Sequence, residues 1–248
     1  MTARVAVITG GASGIGRATC LKFAKKGDKV VVADFNEAMA EETVELIKAE
    51  GGEAIFVKID VSKQEDVEAL VNITVDVYGR IDILFNNAGI GAGGMILEQN
   101  MEGYFKTIGV NQHGVAFGIM AAGRKMKELG SKGVIINTAS VFGYLASHGT
   151  FAYQASKGAV RMMTQTAALE LGAYGIRVVG IAPGGVDTPI IQGYKDMGII
   201  DKLNESQMRG KLIKPEAIAN AVYLLSLDEA DAINGSIVMV DDGYASFK

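Results

Sequence analysis

Val5-Ala-Val-Ile-Thr9-Gly10-Gly-Ala-Ser-Gly14-Ile-Gly16 decides the architecture of this chain. The first five residues are a β-branched apolar run of the kind buried on both faces of a parallel sheet. Glycines then recur as G-x-x-x-G-x-G, and from Arg17 to Lys26 apolar residues return at helical spacing until Gly27. Strand, glycine turn and helix in that order form the context that a phosphate-binding loop requires. Glycine lets the backbone turn tightly and approach a pyrophosphate, while the helix start offers N–H donors and the positive end of its dipole. Gly10, Ser13, Gly14, Ile15 and Gly16 are therefore candidate contacts to a dinucleotide.

The next strand, Lys29-Val-Val-Val-Ala-Asp34, ends in an acid twenty residues after Gly14. A carboxylate there can accept both ribose hydroxyls of an adenine dinucleotide, with Phe35 beside it. A helix from Glu37 to Glu50 and a strand from Ala54 to Ile59 follow. That strand empties into Asp60-Val61, a further candidate contact, and Ser62 is the expected N-cap of a helix from Lys63 to Tyr78. Ile81–Phe85 is a fourth strand, and the small and amide residues after it, Asn87, Ala88 and Gly89, suit a loop pressed against a flat ligand.

A long helix is expected from about Met101 to Leu129, loosened by Gly103, Gly109, Gly114 and Gly118 and carrying Asn111 and His113. Gly133–Thr138 reads as the fifth strand and delivers Ser140; a nearly all-apolar helix starts near Tyr153; Arg177–Ala182 is the sixth strand. Pro183, Gly184, Val186 and Thr188 follow it, then a stretch from Pro189 to Gly210 with weak periodicity, a helix from Pro215 to Leu227 and a last strand, Ser236–Val240. Strands alternating with helices throughout give an α/β, doubly wound, mainly parallel seven-stranded sheet of Rossmann type, with helices on both faces. The expectation is one domain over residues 1–248, with a substrate lid at about 189–210. Ligands of such sheets sit beyond the carboxyl ends of the strands, where Gly10–Gly16, Asp34, Asp60, Asn87, Ser140 and Pro183–Thr188 all fall.

Tyr153 and Lys157 lie four residues apart on the helix, so phenol and ammonium share a face. A nearby cation favours tyrosinate, which suits acid/base work on an alcohol or a carbonyl. The spacing alone decides nothing, since Tyr244 and Lys248 repeat it. Ser140, thirteen residues before Tyr153, separates the two cases: a hydroxyl and a phenol together can polarise a carbonyl.

A net charge of −4 gives no basic footprint for nucleic acid or an anionic membrane. No apolar run reaches the length of a membrane span, and the short start before Val5 is read as leaving no room for a signal peptide. Cys20 is the single cysteine, so a reducing cytoplasm is the expected compartment and Cys20 a core residue of the first helix. There is no Cys/His cluster at metal-ligand spacing, and no metal is expected.

Thr9-Gly-Gly-Ala-Ser-Gly-Ile-Gly16, Asn86-Asn-Ala-Gly89, Asn111, Ser140, Tyr153-x-x-x-Lys157 and Pro183-Gly184 together resemble the short-chain dehydrogenase/reductases over essentially the full length. The resemblance implies a nicotinamide cofactor and reversible hydride transfer between an alcohol and a carbonyl. It implies Tyr153 as general acid/base, Ser140 as hydrogen-bond donor to the substrate oxygen, and Lys157 holding the nicotinamide ribose and lowering the phenol's pKa. Asn111 would organise a water relay to Lys157, and a homotetramer is implied. His148, in the loop joining Ser140 to Tyr153, and Tyr194, in the lid, are candidate substrate contacts; His113 is expected to pack within its helix. NAD is expected rather than NADP, because Asp34 would meet a 2′-phosphate as a like charge. Neither Phe35-Asn36 nor Ser13 supplies a cation there, and Arg17 is expected on the helix's outer face. Competing readings are a 3-oxoacyl-thioester reductase, a sugar or polyol dehydrogenase and a non-catalytic dinucleotide sensor. A methyltransferase would share the glycine turn and the acid but has no use for Ser140, Tyr153 and Lys157.

Overall fold

The computed structural model describes residues 3–91, 94–196, 198 and 200–247. Its strands are β1 (Val5–Thr9), β2 (Lys29–Asp34), β3 (Ala54–Lys58), β4 (Ile83–Asn86), β5 (Val134–Thr138), β6 (Arg177–Pro183) and β7 (Ile237–Val240). The helices are α1 (Gly14–Lys25), α2 (Glu37–Ala49), α3 (Gln64–Tyr78), α4 (Met101–Ile108), α5 (Gly114–Leu129), α6 (Phe151–Leu171), α7 (Gln192–Asp196), α8 (Ile200–Glu205) and α9 (Pro215–Leu225). The seven strands form one sheet in the order β3-β2-β1-β4-β5-β6-β7, and every pairing is parallel.

Strand alternation sorts the apolar residues into two layers. Val7, Val31, Leu84, Ile135 and Val178 meet Leu70 of α3, Met126 of α5 and Val160 of α6. Ile8, Val32, Phe85, Ile136 and Ile181 meet Phe23 of α1, Ile47 of α2 and Val222 of α9. Because both faces are covered, the central strands are buried end to end, which is why they read as continuous apolar runs. Cys20 is fully buried against α1's side of the sheet, and burial pushes its thiol pKa up, so it is a core residue. The winding direction reverses between β1 and β4, which opens the ligand crevice above that pair.

Two local expectations need correction, and a third takes a specific form. The helix expected over Met101–Leu129 runs without a break and is loosened at one place: α4 and α5 are joined by a π-helical turn, Gly109–His113, closed by Gly114 N–H donating to the Gly109 carbonyl. The glycines there serve close approach as well as looseness, since a Cβ on Gly114 would stand 3.0 Å from Val61 and one on Gly118 would overlap the Asn86 amide. Ser62 does not cap α3; Lys63 occupies the cap, without a side-chain bond, because the Ser62 hydroxyl donates to Asp60 at 2.6 Å. Pro189–Gly210 is not irregular but contains a 3-10 turn at Pro189–Ile191, then α7 and α8; pieces this short cannot display a helical period.

Two glycines give opposite expected outcomes. Gly103 in α4 has open space around a built Cβ, so Gly103→Ala should stabilise by about 0.5–1 kcal/mol in urea denaturation. Gly16→Ala should destabilise instead, because its Cβ would overlap the Gly10 carbonyl and α1 would have to move.

Candidate active site

Hydrogen bonds from one hydroxyl lay the loop after β4 across the glycine turn. Thr9 Oγ1 accepts from the amides of Asn87 at 2.9 Å and Ala88 at 3.1 Å, and donates to the Phe85 carbonyl at 3.3 Å. The Asn87 side chain donates back to the Thr9 carbonyl at 3.0 Å. A Cβ on Gly10 would stand 2.9 Å from Ala88 Cα, and Gly10 has φ +69, so only glycine meets both demands. At the start of α1, Ser13 makes no side-chain cap and the first turn, with Ile15 and Gly16, carries no acid. Its N–H donors are left for an external anion.

Asp34 stands at the end of β2 with its carboxylate already oriented. Oδ2 accepts from Ala12 N–H at 3.0 Å and Oδ1 from Asn36 N–H at 2.8 Å. Each oxygen keeps a further lone pair for a hydroxyl. Arg17 is more than an outer-face residue: its guanidinium donates to the carbonyls of Ala12 at 2.9 Å and Met39 at 3.0 Å and pairs with Glu42 at 2.6 Å. It braces the turn and is neutralised by that carboxylate. Phe35 is 72% exposed beside Asp34. The glycine cradle, the uncapped helix start and an acceptor at this strand end fit a dinucleotide: donors for the pyrophosphate and an acceptor for ribose hydroxyls.

The other expected contacts line the same edge. Asp60 Oδ1 is used by the Ser62 amide at 3.0 Å as well as by its hydroxyl, and Val61 is buried under Gly114. Gly184 lies so close to the Asp241 carbonyl that a Cβ would stand 2.8 Å from it. Val186 is buried, and Thr188 Cγ2 would lie 3.0 Å from a Cβ on Gly14, which puts the segment after β6 against the glycine turn. A hollow of about 410 Å³ lies elsewhere, on the sheet's edge between α2 and β3, and none of the expected site residues lines it.

α6 presents Tyr153 and Lys157 beside the end of β5. The Lys157 ammonium is 5.6 Å from the Tyr153 ring centroid and donates to the Thr138 carbonyl at 2.7 Å. Lys157 is only 3% exposed, and burial pushes its pKa down to about 8. Ser140 follows Thr138 by two residues, is buried, and its Oγ accepts from Phe142 N–H at 3.2 Å. The turn after Ser140 is pressed onto α6: a Cβ on Gly143 would lie 2.9 Å from the Lys157 carbonyl, and Arg161 donates to the Gly143 carbonyl at 3.3 Å.

Asn111, on the π-helical turn, is fully buried and clamps the loop after β4 to α6. Its Oδ1 accepts from Ile90 N–H at 2.8 Å, and its Nδ2 donates to the Ile90 carbonyl at 2.9 Å and to Ser156 Oγ at 3.3 Å. Ser156 in turn donates to the Tyr153 carbonyl at 2.6 Å. Gly89 sits between these groups: a Cβ there would be 3.4 Å from Asn111 Oδ1 and 3.8 Å from Lys157 Nζ. Ser156 was not an expected site residue, and its place three residues after Tyr153 is the signal that points to it. His148 is exposed on the loop before α6, whose next residue, Gly149, accepts from Gly94 N–H at 2.9 Å. His113 is exposed with its ring 6.1 Å from Phe117, in keeping with packing on its own helix. Tyr194 belongs to α7, but its side chain lies outside the described residues, as do Met197, Ile199 and Lys248 of the second Tyr-x-x-x-Lys.

Comparison with known proteins follows the same outline. A family model described as enoyl-(acyl carrier protein) reductase matches residues 10–245. A 2,5-dichloro-2,5-cyclohexadiene-1,4-diol dehydrogenase of Sphingobium indicum is 39% identical over 245 residues, covering 99% of this chain and 97% of that protein. Short-chain dehydrogenase reductase 3a of Arabidopsis thaliana is 35% identical over 249 residues, covering 99% and 96%. The crystal structure of levodione reductase superposes with a TM-score of 0.94 at 32% identity, covering 99% of this chain and 98% of that one.

The burial of Lys157 carries a pH signature. Its folded pKa of about 8 lies below the ordinary lysine value of 10.5, so between these values the unfolded chain binds the extra proton and stability rises with pH. The stability difference between the wild type and Lys157→Met should therefore move in favour of the wild type from about pH 8 to 10.5, measured on ligand-free protein by denaturation. A pH-independent difference over that range would show that the folded lysine keeps the pKa of a solvated ammonium.

Proposed function

Because the chain belongs to the short-chain dehydrogenase/reductase superfamily, we propose that it interconverts a secondary alcohol and a ketone with NAD as cofactor. The observation that carries this reading is the Tyr153–Lys157 pair on α6, with the lysine anchored to the Thr138 carbonyl two residues before Ser140. When bound, the nicotinamide cofactor would supply the hydride to the substrate carbon in its reduced form, NADH, or accept it from that carbon in its oxidised form, NAD+. Tyr153 gives its phenolic proton to the oxygen as the carbonyl is reduced and takes it back as the alcohol is oxidised. Ser140 donates a hydrogen bond to that oxygen as charge builds on it, and the buried ammonium of Lys157 favours the phenolate left behind. Asn111 holds the loop after β4 against this helix turn.

Asp34 supports NAD. Its carboxylate would face a 2′-phosphate as a like charge, and Arg17, the nearest cation in sequence, is already engaged by Glu42. Like charges at an interface cost several kcal/mol, so a preference for NAD of about a hundredfold or more is expected in kcat/KM, shrinking in Asp34→Ala mainly through weaker NAD. Equal values for both cofactors in the unmutated enzyme would contradict it.

A medium-sized apolar substrate is proposed, covered by a lid over residues 189–210. The segment is fastened at both ends by ion pairs, Lys195–Asp187 at 2.7 Å and Arg209–Asp242 at 2.7 Å, with Ile190 and Met208 exposed between and beside them. The relatives named as diol dehydrogenase and levodione reductase support an alcohol–carbonyl couple. A panel of ketones and alcohols assayed in both directions separates this reading from 3-oxoacyl-thioester reduction, polyol oxidation and mere nucleotide binding. Self-association, as a tetramer, is proposed through α5 and α6, where Met120, Met162 and Leu169 are exposed, Leu169 at 83%.

Tyr153→Phe keeps the ring and removes the hydroxyl. Turnover should fall by about 100- to 10,000-fold while NADH affinity is retained. Near-wild-type turnover would remove Tyr153 from the chemistry.

A further inference from the structure

The end of β5, at the edge of the crevice, holds a polar group that no role above uses. Thr138 closes β5, is 8% exposed, and its hydroxyl oxygen is enclosed without a hydrogen-bond partner among the described residues. Its own carbonyl is the acceptor of Lys157. Alternation along β5 turns Thr138 to the same face as Val134 and Ile136, toward α1 and α9, whereas Asn137 turns to the opposite layer and donates to Thr164 at 3.0 Å. Register fixes its level: Ile8, Phe85 and Ile136 stand side by side on β1, β4 and β5. Two residues further along these strands come Gly10, Asn87 and Thr138, and Thr138 is paired to Ile181 on β6. The hydroxyl is therefore in the row formed by Gly10 and Asn87, on the side of the Pro183–Gly184 segment and next to the lysine's anchor.

An enclosed hydroxyl without a partner is unfavourable, and an apolar isostere would cost nothing there unless the hydroxyl is used. We propose that Thr138 is a cofactor-contact residue whose hydroxyl hydrogen-bonds the nicotinamide–ribose half of bound NAD. This rests on the reading of the crevice as a NAD site, and on Lys157 marking the nicotinamide end of it. One residue then acts through both its polar ends: the carbonyl orients Lys157 and the side chain holds the cofactor beside it.

Thr138→Val is nearly isosteric and removes only the hydroxyl. Titrated with NADH without substrate and followed by nucleotide fluorescence, it should bind about 2- to 12-fold more weakly than wild type, the equivalent of one hydrogen bond. ADP, which lacks the nicotinamide half, should compete equally well on both proteins, and Thr138→Ser should restore NADH affinity. Without ligand, Thr138→Val should melt at or above the wild-type temperature, and its upward shift on adding NADH should be smaller. Should the valine variant not fold, Thr138→Ala gives the same titration. Wild-type NADH affinity in the variant would overturn the inference and mean that the hydroxyl is satisfied inside the protein, as by a water. An equal loss for ADP and NADH would overturn it as well, by pointing to a general disturbance of the crevice. If wild-type protein binds no NADH, the cofactor reading itself fails and this inference falls with it.

Discussion

The carbonyl of Gly10 and the α-carbon of Gly16 are so close that no side chain can stand between them. This contact joins the end of the first strand to the start of the first helix, and much of the crevice depends on it. With the helix start drawn in, its N–H groups reach the turn. The loop after β4 can then lie on Gly10, and the Thr9 hydroxyl can hold that loop by two accepted bonds and β4 itself by its donor. Asp34 ties the same turn from the other side through the Ala12 amide, and Arg17 through the Ala12 carbonyl. The half of the crevice proposed for the nucleotide is thus mostly backbone held in place by the side chains of Thr9, Asp34, Arg17 and Asn87.

The half of the crevice proposed for the chemistry is built differently, from buried polar side chains. Lys157, Asn111, Ser156 and Ser140 are all nearly inaccessible, and each is oriented by a bond to a neighbouring carbonyl, amide or hydroxyl. Burying a cation is costly and appears as the lowered pKa of Lys157. Groups fixed in this way need little reorganisation when charge develops on a substrate oxygen, which is where preorganised dipoles have their largest effect.

The order of strands and helices was legible in the sequence because both faces of the sheet are covered, so each strand is a short apolar run and each helix a separate periodic one. The strand-end residues were legible for the same reason, since a run that stops marks its own carboxyl end. Less visible were features set by tertiary contact. Ser62 has the right chemistry for a cap, but Asp60 takes its hydroxyl first. Residues 189–210 are helical in pieces shorter than the window in which a period can be read. Asn111 within a helix suggested nothing by itself, because its aim depends on the backbone of Ile90, twenty-one residues earlier. Thr138 looked like one more strand residue; only the packing around its hydroxyl distinguishes it.

The π-helical turn has a consequence of rotational phase. Each α-helical residue advances about 100° around the axis, so one extra residue would change the azimuth of everything beyond it unless a wider turn absorbs it. Upstream, α4 keeps Thr107 inside, and downstream α5 keeps Val115, Ile119, Ala122 and Met126 inside. Asn111 lies in the wider turn between these stripes and points inward as well. The wider turn absorbs the extra residue, letting a polar clamp occupy the interior without costing either helix its apolar seam. Removing a single residue between Gly109 and His113 would let the stretch close into regular α-helix with both stripes still inside, but the wide turn that aims Asn111 at Ile90 would be lost. The length of this stretch is therefore under tighter constraint than the identity of most residues in it.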